Sequence, residues 1–75
     1  MQRYQALSGD AGVTHFENGP DSIAIQFKNR SLYLYTYASA GKRNIEAMKK
    51  LAAAGDGLTT YINQNVKDRY AARLK

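Results

Sequence analysis

Ser22-Ile23-Ala24-Ile25-Gln26-Phe27-Lys28-Asn29-Arg30-Ser31-Leu32-Tyr33-Leu34-Tyr35-Thr36-Tyr37 is the stretch on which the fold turns. Ile23, Ile25 and Phe27 alternate with small or polar residues. A period of two puts neighbouring side chains on opposite faces of a strand, so these three share a core face. Ser31 to Tyr37 is rich in the β-branched and aromatic residues that strands favour and reads as the next strand. With Asn29-Arg30-Ser31 between them, the two form a β-hairpin. Its register has two solutions. A two-residue loop at Asn29-Arg30 sets Phe27 against Leu32 and Ile25 against Leu34, and throws Tyr33, Tyr35 and Tyr37 onto the opposite face as an aromatic stripe. A three-residue loop, or a type I turn with a bulge, puts Tyr33 and Tyr35 inside, beside Ile25 and Phe27.

On the N-terminal side, Asn18-Gly19-Pro20-Asp21 is turn chemistry: Asn and Gly tolerate positive φ and Pro presets φ. Val13 to Glu17 before it has strand character, which makes a three-stranded antiparallel meander. Residues 1–12 show no period and contain the turn-like Ser8-Gly9-Asp10-Ala11-Gly12, so they read as a flexible arm, leaving 13–75 as a single domain.

On the C-terminal side the period changes. Ile45, Met48, Leu51 and Ala52 follow helical spacing from about Lys42, with Lys42, Arg43, Glu46, Lys49 and Lys50 on the opposite side. Ser39 is placed to cap this helix, Gly55 to end it and Asp56 to cap the next. Leu58, Ile62, Val66, Tyr70 and Leu74 then recur every fourth residue, which predicts a second helix over Leu58 to Ala72. The expected fold is α+β, a βββαα chain with the two helices packed on one face of the sheet.

Seventy-five residues without cysteine make one small domain with neither disulfides nor a thiolate metal site. No run approaches the roughly 18 apolar residues needed to cross a bilayer, and no apolar leader is present, so a soluble cytoplasmic protein without a membrane partner is expected. The net charge of +5 is polarised: through Phe27 the chain carries −2, and from Lys28 onward +7. Such a basic half suits an acidic partner, either RNA or DNA or an acidic protein surface, although it also serves solubility alone.

Catalysis finds little support. His15 is the single histidine, no Gly-x-Ser-x-Gly elbow is present, and the carboxylates fall on separate elements. No enzyme, cofactor or metal is expected. Cations are the better candidates: Lys49, Lys50, Lys67, Arg69 and Arg73 for phosphates, with Tyr33 and Tyr35 as stacking rings if they face outward. Against this stand ordinary roles, since amphipathic helices need a polar side and cations suit a helix C-terminus.

Four segments in this order resemble the KTSC domain, a short module named for the C-terminus of some lysyl-tRNA synthetases and also found as free-standing small bacterial proteins. They are Phe16-Glu17 before the turn, Ile23 to Asn29, Tyr33-Leu34-Tyr35, and Tyr61-Ile62-Asn63-Gln64-Asn65-Val66-Lys67-Asp68-Arg69-Tyr70. The resemblance spans about Thr14 to Tyr70. Arg30 stands where the family usually has a turn glycine, Ala38-Ser39-Ala40-Gly41 replaces a Val-Pro-like approach to the first helix, and a glycine is displaced to Gly57. The family often has a charged residue between the two tyrosines, which implies that Tyr33 and Tyr35 face inward. It implies no catalytic residue, and RNA or tRNA binding is the activity its synthetase context suggests. Tyr33, Tyr35, Asn63, Lys67 and Tyr70 match its motif. The alternative is a protein-interaction module, an accessory or regulatory subunit or a homodimer formed through a sheet face bearing Leu32 and Leu34.

Overall fold

The computed structural model describes residues 1–5 and 12–75. Five antiparallel strands in chain order form one sheet: β1 (Gln2–Arg3), β2 (Val13–Asn18), β3 (Ser22–Phe27), β4 (Leu32–Thr36) and β5 (Ala72–Arg73). Between β4 and β5 run α1 (Tyr37–Ala40), α2 (Lys42–Ala54) and α3 (Leu58–Tyr61), the last continuing as a π-helical turn over Ile62–Val66. The α+β class is as expected, but the three-stranded meander is the centre of a five-stranded sheet.

The β3–β4 register is the inward one. Ile25 pairs with Tyr33 and Ile23 with Tyr35. The loop is Lys28-Asn29-Arg30, closed by Arg30 N–H donating to Phe27 O at 2.8 Å and Phe27 N–H donating to Ser31 O at 2.9 Å. Such a loop ends on a residue in the left-handed region, and Arg30 occupies it at φ 70°. Asn29 helps by accepting from Ser31 N–H through its side-chain oxygen at 2.9 Å. Tyr35 therefore lands in the core with Ile23, Ile25, Val13 and Phe16, facing Ala40, Ile45, Met48, Ala52, Leu58, Ile62 and Val66 from the helical layer.

Several expectations need correction. Residues 2–4 of the supposed arm join the fold: Gln2 and Arg3 pair with Phe16 and His15, and Tyr4 is buried, its hydroxyl accepting from Leu58 N–H at 3.2 Å. A helix's first N–H groups lack intrahelical acceptors, and Tyr4 supplies one. The rest of that arm, 6–11, lies outside the described residues. Ser39 is the third residue of α1 rather than a cap before α2, completing a reciprocal capping box with Thr36. Gly55 does end α2 in the left-handed conformation, but Gly57, not Asp56, precedes α3, and Asp56 makes no capping bond there.

The largest correction concerns the second helix, which stops at Val66 instead of reaching Ala72. Leu58, Ile62 and Val66 are all buried. An every-fourth-residue stripe drifts around an α-helix of about 3.6 residues per turn, and the wider π winding keeps Ile62 and Val66 aligned toward the core. Beyond Val66 the chain turns, and Ala72 and Arg73 add a strand to β4. Arg69 and Arg73 are consequently not helical cations: Arg69 lies in the turn and Arg73 on the sheet edge.

Candidate functional site

Because β4 faces its tyrosines inward while the last helix ends early, the hairpin tip, the inner face of β4 and the π turn enclose a cleft of about 430 Å³. Phe27, Tyr33, Tyr35, Ile62 and Tyr70 form its apolar walls. Lys28, Asn29, Ser31, Asn63, Lys67 and Asp68 supply polar groups, and Gly12 closes one end. That volume lies within the roughly 300–1,000 Å³ typical of small-molecule sites.

Tyr33 is the centre of the aromatic wall. Its ring lies 5.6 Å from Phe27 at 74° and 4.7 Å from Tyr70 at 47°, and the Arg73 guanidinium sits 5.6 Å from its centroid. Edge-on and tilted contacts match positive ring edges to negative faces, and the cation exploits the same quadrupole. Arg73 also donates to Ser31 Oγ at 3.4 Å, fixing the cation at the cleft rim. Tyr35 packs edge-on to Tyr70, with centroids 6.3 Å apart, and is only 1 % exposed. Burial, with smaller contributions from Tyr33, Tyr70 and Asp68, pushes its hydroxyl up to about 12. At neutral pH it stays protonated, able to donate and accept.

Stacking by Tyr35 is therefore overturned, whereas Tyr33 is half-buried and still lines the cleft. Tyr35 is buried, and Tyr33 is already packed by Phe27, Tyr70 and Arg73. Tyr70, 40 % exposed, is the wall residue that keeps open ring surface.

Asn63 and Lys67 lie four residues apart, which the π turn brings to one side, and both line the cleft. Ion pairs among the described residues join the Met1 amino group to Glu17 at 3.9 Å and Lys49 to Glu46 at 3.5 Å. Lys67 and Asp68 thus carry charges in the cleft with no ion-pair partner among the described residues. Asn65 of the same turn bonds back to Tyr61 O at 3.1 Å, whereas the Asn63 side chain has no hydrogen bond among the described residues.

The structure thus gathers the sequence-matched Tyr33, Tyr35, Asn63, Lys67 and Tyr70 around one space and adds Arg73 at its edge. It does not gather the rest. Lys49 lies on α2, where its ammonium donates to Gly19 O at 2.7 Å and pairs with Glu46. Lys50 is exposed on that helix and Arg69 in the turn before β5, neither lining the cleft. Near Lys49, Tyr37 donates to Glu46 Oε2 at 2.8 Å; that bond first, then the Lys49 and Lys42 charges, holds the Glu46 carboxyl below its ordinary range. This network ties α2 to the start of α1 and to the β2–β3 turn. Sequence reasoning left Lys28, Asn29, Ser31 and Asp68 out of the candidate site. Their signal was adjacency: three flank or form the loop before the tyrosines, and Asp68 follows Lys67.

Among the described residues no group of three His, Asp or Glu side chains is placed to hold a metal ion, and no helix is long and apolar enough to cross a membrane. Comparison with protein-family models, curated proteins and solved structures finds no match.

Proposed function

We propose that this chain is a small non-enzymatic RNA-binding module of the KTSC type, holding single-stranded RNA at the cleft between the hairpin tip and the π turn. One observation carries the reading: Tyr33, Tyr35, Asn63, Lys67 and Tyr70, far apart in sequence, line the same space. Lys28 and Lys67 stand in that lining, Arg73 at its rim and Arg30 on the loop beside it, a cationic border for a phosphate chain against one carboxylate, Asp68, among the described lining residues. Phosphate contacts supply affinity and aromatic surface supplies stacking in single-strand recognition. Fluorescence anisotropy with a labelled single-stranded RNA and with tRNA tests this. Three to four neutralised phosphates predict a slope of log K on log salt of about −2 to −3, reduced by about 0.7 in Lys67→Ala. Absence of binding at low salt would end the proposal.

A second reading has its own observation. Leu32, Leu34 and Ala72 fall on the sheet face away from the helices, continued by Leu74, which is 52 % exposed. An apolar patch of this kind suits a protein partner or a second copy. Sedimentation equilibrium reporting a monomer, together with no nuclease-resistant protein partner in a pull-down, would remove it.

A further inference from the structure

We infer that the cleft is a pocket for one unpaired guanine nucleotide, with Asp68 and Asn63 reading the base and Lys67 holding its phosphate. The inference rests on the RNA-binding reading only for where the nucleotide comes from.

The shape comes first. The cleft has room for a ligand of small-molecule size, and its walls are aromatic or aliphatic on the side of Phe27, Tyr33, Ile62 and Tyr70, as a planar base requires. Tyr70 sits at the outside with open ring surface. A base entering the cleft covers that ring, and unstacked bases are recognised in this manner on aromatic side chains.

The polar groups then narrow the occupant. Two residues of the lining, Asn63 and Asp68, offer hydrogen-bonding groups with no partner among the described residues, and Lys67, between them in sequence, offers an ammonium that likewise pairs with none of these. A carboxylate accepts and cannot donate, whereas a carboxamide does both. Guanine alone among the four RNA bases presents two adjacent N–H donors on its Watson–Crick edge, N1–H and N2–H, followed by the O6 acceptor. Asp68 matches the two donors and the Asn63 amide N–H matches O6. Adenine, cytosine and uracil each set an acceptor against the carboxylate beside their single donor. Asp68, an oddity in a phosphate site, becomes the residue that selects the base. Arg73, held on Ser31 and Tyr33, adds positive potential on the side of β5.

The test is a set of titrations of the whole chain, followed by ¹H–¹⁵N correlation spectra that include the Asn63 side-chain amide. The probes are the four nucleoside 5′-monophosphates and ribose 5-phosphate, which has the sugar and phosphate but no base. The expected result is GMP binding about tenfold tighter than the other three, with the Asn63 amide and Tyr70 signals moving, and ribose 5-phosphate weaker than any of them. Asp68→Asn should abolish the preference for GMP, while Lys67→Ala should weaken all four nucleotides alike. Both positions are exposed, and thermal melts check that each variant is folded. Equal binding of all four nucleotides, or ribose 5-phosphate binding as well as GMP, would overturn the inference. RNA binding without any GMP response at Asn63 would overturn it too, yet leave the RNA-binding reading intact. GMP binding without RNA binding would sustain the pocket and remove RNA as its source.

Discussion

Replacing Arg30 by glycine should stabilise the protein and, on the RNA-binding proposal, weaken RNA affinity at once. Arg30 closes the β3–β4 loop at φ 70°, where an L-residue crowds its Cβ against the following carbonyl; the left-handed conformation costs roughly 1–2 kcal/mol. Glycine escapes that cost but gives the unfolded chain more freedom, which takes back about 0.5–1 kcal/mol. The net gain for Arg30→Gly is about 0.5–1 kcal/mol, or about 2–8 °C in Tm for a domain of this size. Arg30→Ala keeps the unfavourable backbone and loses the same guanidinium, so it separates strain from charge. Urea denaturation and calorimetry of the three proteins, beside RNA anisotropy in a salt series, give both readouts. The glycine variant should be the most stable, the alanine variant no more stable than the parent, and both should show a salt slope shallower by about 0.7. A glycine variant no more stable than the alanine variant would refute the account of the loop, and unchanged salt slopes would remove Arg30 from the phosphate border.

Tyr35 sets an alkaline limit. Its unfolded hydroxyl ionises near the ordinary tyrosine value of 10.0 and its folded hydroxyl only at about 12, so its contribution is complete below pH 10 and is lost as pH rises toward 12. The loss reaches on the order of 2 kcal/mol, and Tyr35→Phe should flatten denaturation midpoints across that window. Tyr4→Phe strips Leu58 N–H of its acceptor and should cost about 1–3 kcal/mol by chemical denaturation. A neutral result would mean that β1 does not anchor α3. Lys49→Ala should lower Tm by releasing Gly19 and Glu46 while leaving the RNA salt slope unchanged, the reverse of Lys67→Ala.

The strands of the central hairpin and the start and end of α2 were legible because each rests on a local pattern: alternation at Ile23, Ile25 and Phe27, helical spacing at Ile45, Met48 and Ala52, and a glycine at position 55. Register was not, because the left-handed position that decides it carries arginine, which advertises nothing. The second helix was overextended for an instructive reason. Tyr70 and Leu74 continue the stripe of Leu58, Ile62 and Val66, yet Tyr70 packs on the tyrosines of β4 and Leu74 continues the outer face of the sheet. Strands β1 and β5 are two residues long, too short for any period to show. Half of the cleft was visible as a set of motif residues. The other half, Lys28, Asn29, Ser31 and Asp68, joins it because the hairpin tip meets the π turn, a tertiary event that adjacency to the motif residues along the chain only hints at.

The strand order follows the chain, but its last step is unlike the others. Strands β3 and β4 are joined by four residues, whereas Tyr33 meets Arg73 only after the whole helical layer has intervened. Closing a longer loop costs more chain entropy, and a few backbone bonds repay it, Ala71 N–H to Leu34 O at 2.6 Å and Leu74 N–H to Leu32 O at 2.7 Å among them. β5 should therefore open more readily than the strands of the central hairpin. Tyr70 lies two residues before it, so one wall of the cleft is tied to whether β5 is docked. Amide hydrogen exchange at Ala71 and Leu74 then becomes a gauge of occupancy: a ligand that needs Tyr70 in place must slow exchange there more than anywhere in β2 or β3.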